Sequence, residues 1–288
     1  MVGWLEEMLI DAGVSMLSKA GDLLSAPVGN EYLGKTLSSA MSGVYAFAVQ
    51  IQNTVTSPVG YSLLGFFMLA ALYDTAQRSP DMSGTKLLEK IGMTMVSFIL
   101  LKVTMDHAAL LMEGLFSFFN WINEGIISAS SLGTAATSTT GTSWAESLKG
   151  SVKTSEAFMF FMMCAIAWLC SFVGMLAANV VLTVLWIELY LMLSYAPIPL
   201  ATMASDKFGE IGKSFLKQFA ATCLQGGVVV FFLKVFSILF QSVPERLSEA
   251  AASSDIVGVV ASTVVFAVVM IISIAGSAGA SKRIVGAA

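Results

Sequence analysis

Charge is scarce in this chain: Asp, Glu, Lys and Arg together make up 12% of its 288 residues, and His107 is its single histidine. Soluble domains carry roughly 25% charge, so a water-exposed globular fold is excluded. One histidine also excludes a histidine-built metal site, since only carboxylates would remain as ligands; no metal and no cofactor are expected. The three cysteines, Cys164, Cys170 and Cys223, lie in apolar runs without C-x-x-C spacing and read as small core residues. A formal net charge of −4 leaves no basic surface of the kind that defines a dedicated nucleic-acid binder.

Catalytic signatures are missing as well. The chain has no H-E-x-x-H, no G-x-S-x-G, no G-x-x-x-x-G-K-[ST] and no G-x-G-x-x-G between a strand and a helix, so no enzymatic activity is expected. Met1 to Glu7 lack the basic start and unbroken apolar core of a signal peptide, so insertion must rely on internal helices.

What the chain has is length of apolar sequence. Hydrophobic residues make up 56% of it, in continuous runs rather than the alternating ten-residue segments of a transmembrane barrel. The fold class is therefore all-α, a polytopic transmembrane bundle of about five spans with amphipathic helices at its N-terminus. The spans are expected at Val59 to Thr75, Ile91 to Phe119, Ala157 to Ala196, Phe219 to Phe240 and Ile256 to Ala275.

Five segments follow along the chain. Residues 1–57 hold interfacial helices, the first with Trp4, Leu5, Met8, Leu9, Ala12, Met16 and Ala20 at helical spacing, the second from about 36 to 56. Residues 58–128 hold the first membrane helices, opened by Pro58. The Ser-, Thr- and Gly-rich stretch 129–155 reads as an exposed loop. Residues 156–280 form a C-terminal membrane bundle, and 281–288 a tail. The apolar stretch Ala157 to Ala196 would be about 60 Å long as a helix, twice a hydrocarbon core, so it is either one projecting helix or a hairpin turning near Gly174. A hairpin would move the Ser/Thr loop to the side of Lys207, which favours the single helix.

The end of that stretch is the most informative local feature. Pro197-Ile198-Pro199 follows Ser194-Tyr195-Ala196, and each proline removes a backbone donor and crowds the preceding turn, so the helix must end or break at Ala196. Beyond it lie Lys207, Lys213 and Lys217. Together with Arg78, Lys86, Lys90, Lys282 and Arg283 they collect positive charge on one side of the membrane in the five-span order. The positive-inside rule then predicts an N-terminus outside, a cytoplasmic C-terminus and a basic cytoplasmic loop at 207–217. As a topology signal those lysines need no further role.

Ionisable groups at membrane depth are costly unless they meet a partner or water. Lys102, Asp106, His107, Glu113, Glu188 and Lys234 are the candidates. They could form a polar path, or neutralise one another as Lys102 with Asp106 at i,i+4 and Glu188 with Lys234. Small residues, Gly226 and Gly227 above all, allow close helix packing, within one chain or between copies.

Ser194 to Met203, then Gly209-Glu210-Ile211-Gly212-Lys213-Ser214-Phe215-Leu216-Lys217-Gln218-Phe219, then Leu224-Gln225-Gly226-Gly227 together resemble the TrbL-type conjugal transfer membrane proteins, in the version found in Gram-positive conjugative elements. The likeness covers about residues 185 to 240 closely, with Lys282 to Ala288 similar to the family's tail. It implies a multi-pass subunit of the bacterial cytoplasmic membrane in a type IV secretion system. Such a subunit would form a homo-oligomeric ring, contact the machine's ATPases, other subunits and membrane lipids, and assist passage of protein and single-stranded DNA. Where family members often carry an arginine in the long helix, this chain has Glu188. A stand-alone secondary transporter, with Pro197-Ile198-Pro199 as a broken helix and Glu188, Asp106 and Lys234 as ion ligands, is the alternative; the two halves show no internal repeat to support it. A passive scaffold is the third reading.

Overall fold

A computed structural model describes residues 2–25, 35–77, 84–134, 157–205, 207–241 and 256–286. The described residues are helical with short turns and contain no strand. In chain order the helices are α1 (Val2–Ser25), α2 (Leu37–Ala40), α3 (Ser42–Ile51), a π-helical turn (Gln52–Thr56), α4 (Ser57–Gln77), α5 (Gly84–Asp106), α6 (Ala108–Thr134), α7 (Ala157–Tyr195), α8 (Pro197–Thr202), α9 (Gly209–Gln241), α10 (Ile256–Ala275) and α11 (Ser277–Val285). Ser42–Gln77, Phe160–Tyr195 and Gly209–Phe236 are each long and apolar enough to cross a membrane. Two bent pairs, Leu88–Asp106 with Ala108–Gly125 and Val264–Ala275 with Ser277–Val285, bring the number to five if each is one span.

The chain divides into two compact units that interleave in sequence. The first takes residues 1–33, 122–184 and 225–280; the second takes 34–121, 185–224 and 281–288. The five consecutive segments expected from the sequence therefore do not coincide with the units.

In the first unit the core gathers Ala20 of α1, Phe160, Cys164, Ala167, Ala178 and Leu182 of α7, Val229, Leu233 and Phe236 of α9, and Met270 and Ile274 of α10. Ile10, Gly13 and Ala20 form the buried face of α1, whereas Met8, expected in the apolar stripe, is exposed. A Cβ on Gly13 would lie 3.0 Å from the Phe160 ring, so α1 packs on α7 at contact distance. Gly174 makes no hairpin: α7 runs through it unbroken, and the missing side chain admits the Met270 methyl of α10. The 39-residue α7 is thus one helix, as the charge distribution favoured.

In the second unit Pro58 does not open a separate span. Helix continues from Ser42 to Gln77, because Pro58 lies in the first turn after the π turn, where its missing N–H costs least. The second expected span is likewise two helices, bent by 73° at His107. Helix α6 continues to Thr134, beyond the expected loop boundary at 129. The remainder of that loop, 135–156, with Lys149 and Lys153, lies outside the described residues, as do Arg78 and Arg246.

Candidate functional site

The Pro-Ile-Pro break is the most constructed part of the second unit. Pro197 and Pro199 offer no N–H to the carbonyls of Leu193 and Tyr195 one turn earlier, so α7 stops at Tyr195, with a turn at Ala196. The chain does not leave the helical path, however; it resumes as α8, whose first turn tolerates both prolines. Leu193 recovers a partner in the Ala196 N–H at 3.4 Å, and the Ser194 carbonyl accepts the buried Thr56 hydroxyl at 2.6 Å. Thr56 belongs to the π turn, so the irregular turn before α4 serves the irregular turn after α7.

Two glycines close on the break. A Cβ on Gly60 of α4 would lie 3.0 Å from the Pro197 carbonyl oxygen, and one on Gly212 of α9 would lie 2.6 Å from that of Pro199, against Met203 as well. Alanine at 212 requires backbone movement, whereas at Gly60 the Met105 methyl, 2.7 Å from that Cβ, must swing aside and the Pro197 carbonyl must give by a few tenths of an ångström. Phe208, just after Lys207, packs on Phe67 with tilted rings whose centroids are 5.8 Å apart. The segment from Pro197 to Phe208 therefore runs alongside α4 from Gly60 to Phe67.

That contact joins the expected first span to the end of the long one: Gly60, inside the helical run Ser42–Gln77, packs directly on Pro197.

One turn upstream, Tyr190 reaches α2 and α3. Its hydroxyl accepts from the Met41 N–H at 3.1 Å and donates to the Leu37 carbonyl at 2.9 Å. Those are the two groups that would bond each other in an unbroken helix, so the tyrosine is inserted into the i→i−4 ladder and splits α2 from α3. Trp186 packs between Tyr190 and Phe116 in tilted ring contacts, with centroids 5.9 and 5.3 Å away.

The expected site residues fall at several places. Ile198 is half-buried in α8. Lys207, Lys213 and Lys217 are exposed, and Lys213 pairs with Glu210 at 2.9 Å. Lys102 pairs with Asp106 at 3.7 Å, and the Tyr61 hydroxyl donates to the same carboxylate. Glu113 accepts from the Ser38 hydroxyl at 2.7 Å, which ties α2 to α6. Glu188 is half-buried in the second unit and Lys234 half-buried in the first, so no single unit assembles the expected charge set. Gly226 and Gly227 are buried in α9. Gly60, Gly212, Thr56 and Tyr190 escaped the sequence reading: glycine and tyrosine in apolar helices carry no pattern that separates close contact or ladder insertion from ordinary packing.

Long apolar helices, a proline-broken helix held by glycine contacts, and paired or exposed charges define a multi-pass helical membrane protein. The model of the TrbL/VirB6 plasmid conjugal transfer proteins matches residues 62–276, about three quarters of the chain, and the chain belongs to that family. It is a membrane subunit of conjugal transfer, related to type IV secretion. No match was found among curated proteins or among solved structures.

Proposed function

We propose that the chain is the membrane-embedded channel or scaffold subunit of a type IV secretion machine, assembling with copies of itself into a ring and assisting the transfer of DNA and protein. The observation that carries this reading is family membership across residues 62–276, which reaches into both compact units. Exposed apolar side chains on α4 to α6, among them Phe66, Leu69, Ile99, Leu100, Leu110 and Trp121, give ample surface for lipid and for neighbouring subunits. Native mass spectrometry of the purified protein in nanodiscs tests the assembly. A closed ring of several copies is expected, and a strict monomer in mild detergent and native lipid alike would count against it.

Lys207, Lys213 and Lys217 are proposed to face the cytoplasm, together with Lys282 and Arg283 of the tail, and to meet the machine's ATPases or the phosphates of the strand in transit. The close packing of Gly60 and Pro197 then brings the start of α4 toward the same face. Replacing all three lysines with glutamine should cut transfer frequency at least tenfold at unchanged membrane level, measured by mating assays alongside immunoblots of membrane fractions. Wild-type transfer would return these lysines to a purely topological role.

The transporter alternative needs an open binding place at the broken helix. Gly60 and Gly212 instead bring backbone against the break from two helices, which weighs against it.

A further inference from the structure

Helices α4 and α5 run as an antiparallel pair, and between them lies an apolar groove of ≈ 320 Å³. Tyr61, Gly65 and Met68 line it from α4, Met95, Phe98 and Lys102 from α5. The spacing puts each set on one helical face, about 10 Å long at 1.5 Å per residue. The groove is graded: Met68 and Met95 form an apolar end, while Tyr61, Lys102 and Asp106 form a polar end through the ion pair and the tyrosine hydrogen bond already described.

The floor of the groove is open at Gly65, where a Cβ would meet no heavy atom within 4 Å. In water such a groove would hold solvent; in a bilayer the molecules at hand are lipids, and an unfilled apolar void forfeits dispersion contacts along its lining. Depth agrees with a lipid lying lengthwise. From Glu89, which marks one edge of the apolar part of α5, to Asp106 is about 26 Å of helix, close to the thickness of a hydrocarbon core of about 30 Å. The Lys102 side chain, 63% exposed, can extend its ammonium from there to the headgroup layer.

We infer that this groove binds one aminophospholipid, its acyl chain laid along Gly65 between α4 and α5 and its headgroup read by Lys102 and Asp106. The polar end holds one cation and one anion side by side. A phosphate finds the Lys102 ammonium, and the primary ammonium of the same headgroup finds the Asp106 carboxylate. An anionic headgroup without its own cation meets the same carboxylate as a repulsive neighbour.

The test is native mass spectrometry of the full-length protein, delipidated in detergent and titrated with palmitoyl-oleoyl phosphatidylethanolamine or, separately, the matching phosphatidylglycerol. Wild-type protein should retain one phosphatidylethanolamine at a concentration at least fivefold below that needed for phosphatidylglycerol. Gly65→Leu fills the groove where there is room for the side chain, and should weaken that binding at least tenfold while circular dichroism and elution volume stay unchanged. Gly114→Leu, on α6 and equally unobstructed, should bind as wild type. Asp106→Asn should remove the preference between the two lipids, and Lys102→Met should weaken the binding of both. Undiminished binding by Gly65→Leu would overturn the groove, and equal or stronger binding of phosphatidylglycerol by the wild type would overturn the headgroup reading.

Discussion

Gly212→Val should collapse the packing around the Pro-Ile-Pro break and produce the largest loss of stability of any single substitution in the second unit. A Cβ at this position would sit 2.6 Å from the Pro199 carbonyl oxygen, and that oxygen already accepts the Thr202 hydroxyl at 2.7 Å. It therefore cannot retreat without breaking a bond inside α8. Overpacking of a tight contact costs about 1–3 kcal/mol, and a backbone obstacle puts this case at the upper end. Thermal unfolding in detergent should show a melting temperature several degrees lower for Gly212→Val and measurably lower for Gly212→Ala. Gly209→Ala is the control, since its Cβ would meet its nearest atom at an ordinary 3.8 Å. Equal melting temperatures for the alanine variants at 209 and 212 would show that the contact does not hold α9 to the break.

Tyr190→Phe should give the next largest effect. Tyr190 is 2% exposed and its ring would remain packed on Trp186, so little is lost in volume. The hydroxyl alone disappears, and the Met41 N–H and Leu37 carbonyl both lose their partner. An unsatisfied buried backbone group costs about 1–3 kcal/mol. Re-forming the bond between Met41 and Leu37 would require α2 and α3 to straighten, which pulls Ser38 away from Glu113. Two readouts are expected: a lower melting temperature, and faster hydrogen exchange over residues 37–45 measured by mass spectrometry. Unchanged exchange there would mean that the hydroxyl fills space without holding the helix break open.

Neither position could be read in advance, although features close to them could. The break at Ala196 was legible because proline's missing N–H acts locally, through bonds four residues apart, wherever the helix happens to lie. The Lys102–Asp106 pair was legible for the same reason, since i,i+4 neighbours share a helix face. The joining of Ser42 to Gln77 into one helical run was not, because a π turn at Gln52–Thr56 absorbs the proline and leaves no signature in residue type. Gly174 carried two readings, turn or close contact, and only the arrival of Met270 selects the second.

The sequence by itself determined the class of this protein. Scarce charge, runs of membrane length and a proline-broken helix follow from composition and from bonds between near neighbours, and so did the likeness to the conjugal transfer family. Tertiary structure decided which distant segments touch, as Gly60 against Pro197 shows, how the interleaved units divide the chain, and which glycines sit at close contacts. Those are contacts between residues far apart in the chain, set by how helix surfaces fit, and surface fit depends on the shapes of both partners at once.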